Sequence, residues 1–564
     1  MSTTPEITDE HPHRVTQLAQ LHQRGWTWRQ FAYCSFVCLG EVAFAYPSSI
    51  IGVTLTQPSF LEYMGLVDST GTLTTKGNSL EGALSGMFQA GGIFGILATI
   101  YAMDRWGRKM AVIIISAVGI VSATLLCASQ NIAMFLVFRF FAGFASWGAV
   151  TVTPVYSAEM SPAALRGFFG AMNGIFIGIG YAFATYMGLA FYDTKSQSLG
   201  IWRGIYGIGL IFCFIPLLSM LIIPESPRWL LMAGRVDEAK LAMQKLHTGS
   251  SRPMADVTRA EFLQMTKQAE HDKELNTSWT QIIRLPANRR RAALAAGFAF
   301  LGQSTAILVI NNYNSILYKG LGYGTRQTLV FQCGWITTGL SGNIVGSLII
   351  DYIGRRPLIL GGIIGALACL CVETALVATY ASPVPEVGAN RSGIGAAVAF
   401  LYLFTFSYGV GVDTTLWIFC SEIFPNHLRA KGIAICTLSF CLTGLVYLEV
   451  AATAFANIGY KYYLVFISVC AVGIVWLWIV LPETTGMPLE EIAAVFGQEE
   501  EVVIFSSDLQ KDIDTGEVFA IEHAGHHEDG IHGAGRHGAG RHKAGHHDAA
   551  PQEAAPQEAT APAS

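Results

Sequence analysis

Of 564 residues, 13% are charged and 52% are hydrophobic, against roughly 25% charged in a soluble domain. The formal net charge of −5 offers no basic field for nucleic acid. Because most of the charge sits in the tails and one central insert, long stretches are nearly bare of it, which points to an integral membrane protein.

Residues 1–29 are polar, lack the apolar core of a cleaved signal peptide, and read as a disordered cytoplasmic tail. Apolar runs of spanning length, roughly 20 residues, then follow at 30–55, 83–103, 110–128, 132–157, 168–191 and 203–223. A polar segment, 224–291, interrupts them, with an amphipathic helix predicted at Val236–His247 and a second at 258–273. It reads as a cytoplasmic linker, with too little core for a catalytic domain. Six more runs occupy 292–317, 327–350, 357–380, 394–420, 433–455 and 462–481. The expected fold is all-α: twelve transmembrane helices in two six-helix bundles, 30–223 and 292–481. Residues 482–564 form a cytoplasmic tail, His/Gly/Ala-rich and disordered after about 499. The 11 cysteines lie inside apolar runs and suggest packing thiols, not a disulfide framework.

The charged turns repeat. Asp104-Arg105-Trp106-Gly107-Arg108-Lys109 returns as Asp351-Tyr352-Ile353-Gly354-Arg355-Arg356, an offset of 351 − 104 = 247. Glu159 and Arg166 return as Glu422 and Arg429, an offset of 263. Pro224-Glu225-Ser226 returns as Pro482-Glu483-Thr484, an offset of 258. Three motifs in one order indicate a duplicated half. Charge clusters cannot rest in hydrocarbon, so these turns lie at the membrane surface, and their basic excess places them and both termini in the cytoplasm. Asn390-Arg391-Ser392 then falls in an outward loop and is glycosylatable, whereas the triplet at Asn276 is not.

With Arg139-Phe140, Pro227-Arg228-Trp229-Leu230, Ser421-Glu422-Ile423-Phe424-Pro425 and Pro482-Glu483-Thr484-Thr485-Gly486, these motifs resemble the sugar-porter family of the major facilitator superfamily, its fungal branch in particular. The resemblance covers 30–495. It implies two pseudo-symmetric halves rocking about a central site, latched by salt bridges on the cytoplasmic face. Asp104, Arg105, Arg108, Glu159, Arg166, Glu225, Arg228, Asp351, Arg355, Arg356, Glu422, Arg429 and Glu483 are the expected latch, whereas Lys109 and Lys431 read as topology markers.

The binding positions depart from the family. Its fifth-span Gln is Gly174, the first of the seventh-span Gln pair is Gly302, the Asn that follows is Leu308, and an eleventh-span Asn is Phe440. The tenth-span Trp is kept as Trp417, but the prolines that break that helix are Thr414 and Leu416. Candidate ligand groups are Asn173, Gln303, Asn311, Asn312, Tyr313, Asn314 and Trp417, since amides suit hydroxyl-rich ligands and an indole stacks on a sugar's apolar face. At 100° per residue, Gln303, Asn311 and Asn314 fall on one side of a continuous helix. Proton-coupled porters pair a first-span Asp with a fourth-span Arg; the Arg is present as Arg139, but the Asp position is Pro47. Buried acids on the first and tenth spans, Glu41 and Asp413, are the alternative proton sites, with Glu41 reaching Arg139 only if the helix bends at Pro47. The expected function is transport of a sugar or sugar-like molecule, proton-coupled or facilitative. Export of a non-sugar metabolite and non-transporting nutrient sensing are the alternatives. No phosphate loop, metal cluster or nucleophile constellation indicates an enzyme or a cofactor.

Overall fold

Twelve helices are long and apolar enough to cross a membrane: α1 Trp28–Thr54, α2 Gly82–Trp106, α3 Arg108–Cys127, α4 Ile132–Met160, α5 Arg166–Asp193, α6 Trp202–Ser219, α7 Pro286–Asn314, α8 Thr325–Ile353, α9 Arg355–Tyr380, α10 Arg391–Glu422, α11 Arg429–Ala451 and α12 Gly459–Val480. The computed structural model describes residues 15–17, 28–67, 75–161, 165–194, 198, 200–247, 252–275, 278–380, 390–485, 487, 489, 491–498, 502–503, 509–512 and 518–520. Each predicted run falls within or across one of these helices. Most of the helices are longer than the runs, because charged and capping residues at the ends are helical too. Asn131 caps α4 by accepting from Met134 N at 2.8 Å, and Asn390 caps α10 by accepting from Ser392 N at 3.1 Å.

Within the first bundle α2 packs on α4 and α1 on α5; within the second α9 packs on α10 and α7 on α11. The bundles meet along two seams, α5 against α8 and α2 against α11. These seams exchange under the duplication, as a pseudo-twofold arrangement requires. Apolar side chains that find no protein partner face outward: Val472 and Ile479 on α12 are 73% and 74% exposed, a surface suited to lipid.

The linker holds helices Pro227–Met232, Val236–His247, Arg252–Glu274 and Trp279–Arg284. Ala239, Ala242, Met243 and Leu246 form the buried stripe of the second of these, whereas Leu241 is exposed. Three short strands, Val15–Gln17, Leu509–Asp512 and Val518–Ala520, make an antiparallel sheet that joins segments of both tails. The composition had suggested no order there. Strands of three or four residues make a few ladder bonds without a core. Pro162, Asn276 and the His-rich repeat lie outside the described residues. All 11 cysteines are free.

Candidate functional site

The charged turns fold first around their glycines. Gly107 and Gly354 adopt φ of 93° and 97°, a region that L side chains avoid. A Cβ at Gly107 would lie 2.4 Å from Glu225 Oε2, and one at Gly354 2.7 Å from Glu483 Oε2. The bare backbone thus lets each carboxylate reach the amides that open the next helix. Glu225 accepts from the Arg108 and Lys109 amides at 3.1 and 3.2 Å, and Glu483 from those of Arg355 and Arg356 at 3.0 Å each. An acid at a helix N-terminus satisfies orphan donors and favours the helix dipole.

Beneath each turn lies a buried ion pair. Arg108 Nη2 donates to Glu159 Oε1 at 2.7 Å, and Arg355 Nη2 to Glu422 Oε1 at 3.1 Å. Ser226 Oγ donates to the other Glu159 oxygen at 2.5 Å, and Thr484 Oγ1 to that of Glu422 at 3.2 Å. Arg228 closes the first set on the Glu159 carbonyl at 3.1 Å, and Asp351 adds a second acid to Arg355 at 3.0 Å. Other bonds cross between bundles. Arg429 lies 3.6 Å from Glu159, Arg166 donates to the Met487 carbonyl at 3.1 Å, and Asp351 accepts from Phe168 N at 2.8 Å. Lys431, expected only to fix topology, bridges to Asp104 at 3.0 Å. Its place across the seam is invisible in the sequence, where 327 residues separate the two. Arg356 serves the Trp478 carbonyl at 2.7 Å, and Arg105 is exposed. On the opposite face, the bundles meet through Arg326 and Asp193, both well exposed, at 2.9 Å.

Between the faces, α7 and α10 are interrupted. Ala306 takes φ 74°, a left-handed conformation costing an L residue about 1–2 kcal/mol, and splits α7 between Ser304 and Ile307. In α10, Gly409–Asp413 forms a π-helical turn. No proline is needed: Thr414 Oγ1 donates to the Gly409 carbonyl at 2.6 Å and Thr415 Oγ1 to the Gly411 carbonyl, covering acceptors that the wide turn would strand. Glycine is required here, since a Cβ at Gly411 would lie 2.4 Å from the Cα of Gly362 on α9.

These interruptions border a cavity at the seam. Gln303, Asn311 and Trp417 line it, whereas Asn173, Asn312, Tyr313 and Asn314 do not. Asn173 donates to Ser157 Oγ at 2.9 Å and accepts from Cys38, so its amide joins helices. Asn312 donates to the Leu308 carbonyl at 2.9 Å and Tyr313 to that of Leu448 at 3.0 Å. Asn314 is fully buried away from the cavity. The helical projection that grouped Asn314 with Gln303 assumed an unbroken helix, and Ala306 breaks it. Asn343, a weaker candidate beside Asn173 in the sequence, also lines the cavity. Its Nδ2 donates to Asp413 Oδ2 at 2.8 Å and, across the seam, to the Gly174 carbonyl at 2.7 Å. A second cavity, inside the first bundle, carries no amide or carboxylate side chain among its described lining residues.

Arg139 does not pair with Glu41. It donates to the Pro47 carbonyl at 2.5 Å and the Leu84 carbonyl at 3.4 Å, and lies 4.4 Å over the Phe88 ring. Carbonyl dipoles and a ring face replace the expected acid. Glu41 is fully buried, neither of its oxygens has a hydrogen-bond partner, and it lies within electrostatic reach of Asp413.

Two six-helix halves joined around a central cavity define a major facilitator transporter, and the chain is a multi-pass membrane protein. A family model for the sugar (and other) transporters matches residues 33–496, and the chain belongs to that family. It is similar to the probable metabolite transport protein CsbC of Bacillus subtilis, 26% identical with 83% of this chain and 94% of the relative covered. Polyol transporter 5 of Arabidopsis thaliana is 29% identical, with 74% and 79% covered. In fold the chain is similar to the proton:xylose symporter XylE bound to a bromo-deoxyglucose, with TM-score 0.70, 20% identity, and 83% and 99% covered.

Proposed function

We propose that this protein carries a sugar or sugar-like small molecule across the cell membrane by alternating access, with both termini in the cytoplasm and Asn390 outside. The observation that carries this reading is the placement of a polar-walled cavity at the seam, above buried ion pairs that occur once in each half and are bridged between halves. Separating the halves on that face breaks the Glu159–Arg429, Asp104–Lys431 and Asp351–Phe168 contacts, so their formation biases one of two states. Gln303, Asn311 and Trp417 offer the ligand amides and an indole.

Arg139 is satisfied without an acid, so coupling through it has no support. Asp413, which lines the cavity, and Glu41 behind it are the proposed proton sites for a neutral ligand. The relatives' names, which include a glucose transporter and polyol transporters, support a hydroxylated ligand over a sensor role, and nothing in the site proposes an enzyme. The test is tracer uptake by transporter-deficient cells across mono- and disaccharides and polyols, with and without a protonophore. Accumulation of at least one such compound is expected; no uptake by protein at normal surface level would sink the reading. Glycan attachment at Asn390 but not at Asn276 checks the orientation.

A further inference from the structure

At the charged turns, the carboxylates under the helix ends have cations: Glu159 has Arg108, Glu422 has Arg355, and Asp351 shares Arg355. At the cavity this pattern stops. Asp413 receives one hydrogen bond among the described residues, from the neutral amide of Asn343, and its carboxyl borders the open space. Glu41, on the facing bundle, has none. No Lys, Arg or His is among the described residues lining the cavity. Asp413 at the cavity wall and Glu41 behind it, on opposite bundles, therefore interact with no cation among the described lining residues, which is costly unless something positive enters.

The remaining walls suit such an entrant. Phe44, Tyr181, Trp335, Tyr408, Trp417 and Phe440 surround the space, and aromatic faces attract cations. Gln303 Nε2, Trp335 Nε1 and Trp417 Nε1 are buried donors with no hydrogen-bond partner, available to ligand oxygens. The wall thus has an anionic end and a donor-rich remainder.

Resting on the sugar-carrier reading above, we infer that the cavity selects a compact hydroxylated ligand bearing a protonated amine, such as an amino sugar. The ammonium would pair with Asp413, with Glu41 adding its field from the other half, and the hydroxyls would meet Gln303 and the two indoles. An ammonium then takes the place of the proton that a neutral ligand requires, and the acid pair is neutralised equally in both cases.

The test is binding to the purified full-length protein in nanodiscs, with D-glucosamine, D-glucose and N-acetyl-D-glucosamine as probes, read by quenching of tryptophan fluorescence and by displacement of labelled glucosamine. Glucosamine is expected to bind at least about tenfold tighter than either neutral compound, the worth of one hydrogen bond to a charged group. In Asp413→Asn that ratio should fall to about one, and in Asp413→Glu it should largely survive. Glu41→Gln should reduce it by a smaller factor. Should Asp413→Asn fail to fold, the ratio in the parent protein and in Glu41→Gln still decides. Neutral sugars bound as well as or better than glucosamine would overturn the inference and leave the carrier reading standing; no binding or uptake of any of the three, nor of any compound in the uptake panel, would overturn both.

Discussion

The turns and the cavity answer differently to the duplication. Shifting by 247 residues carries Arg108 onto Arg355 and Gly107 onto Gly354, with matching bonds. The same shift carries Ile96, fully buried in α2, onto Asn343. Shifting by 263 carries Glu159 onto Glu422, but Val150, also fully buried, onto Asp413. Both halves must hinge and latch in the same way, so that geometry is kept twice. A small ligand has no twofold axis, and its polar partners need be built only once. Accordingly, most of the cavity wall comes from the second bundle.

The sharpest way to break this comparison is at the paired arginines. Arg108→Ala removes the nearest cation of buried Glu159, leaving Arg429 at 3.6 Å, and Arg355→Ala removes that of buried Glu422, breaking pairs whose loss costs roughly 3–5 kcal/mol. Transport by either variant should fall at least about a hundredfold at unchanged surface level, measured as initial uptake rate per surface-labelled molecule. If only one of them matters, the halves are not equivalent.

Next comes Asn343→Ala, which removes both the donor to Asp413 and the bond across the seam to Gly174. We expect transport to fall about tenfold, consistent with two hydrogen bonds of roughly 0.5–1.5 kcal/mol each, with a change in substrate ranking. Ile96→Ala, at the matching position, should leave the ranking untouched. Uptake competition in both variants decides whether recognition is one-sided.

A subtler asymmetry divides the turns themselves. Burial raises the Glu225 carboxyl above its ordinary 4.5, against the pull of the Ser226 amide and of Arg108. Burial acts the same way on Glu483, but bonds from Thr485 and from the Arg355 and Arg356 amides outweigh it and hold that acid below 4.5. Glu483 therefore contributes stability that is present above 4.5 and lost as pH falls through its lowered folded value. Glu225 contributes below 4.5 and loses its contribution as pH rises through its raised folded value. Thermal stability followed against pH should lose acid sensitivity in Glu483→Gln, whereas Glu225→Gln should gain stability relative to the parent on the neutral side. Identical profiles would erase the distinction.

The smallest effect is expected at Lys431→Ala. Its partner Asp104 is 44% exposed, and exposed pairs are worth roughly 0.2–1 kcal/mol. Uptake should change by less than about threefold, and by less still at high salt.

The periodic features were legible in the sequence. Twelve apolar runs, the turns and their pairing follow from hydropathy and spacing, because lipid enforces one rule on every span. The cavity was legible only in part. Gln303, Asn311, Trp417 and Asp413 could be found as polar or aromatic groups on apolar helices. Asn312 and Tyr313 already fall outside the arc that Gln303, Asn311 and Asn314 share on a continuous helix, and Asn314 leaves it because α7 is broken at Ala306, a left-handed alanine that leaves no mark in a sequence. Asn343 gains its role by donating to the Gly174 carbonyl, 169 residues away, a contact that no spacing in the sequence announces.

The π-helical turn at Gly409–Asp413 has a genetic counterpart. Such a turn holds one residue more than the α-helical turn it interrupts, so it is what a single-codon insertion would leave in a helix. Removing one residue, Val410 for example, would restore a continuous α10 and rotate 391–408 by about 100° relative to Trp417. Tyr408 would swing away from the cavity while the end carrying Glu422 stayed in register. Length variation at this one codon is thus a route by which relatives could exchange one cavity wall for another without disturbing the arginine turns.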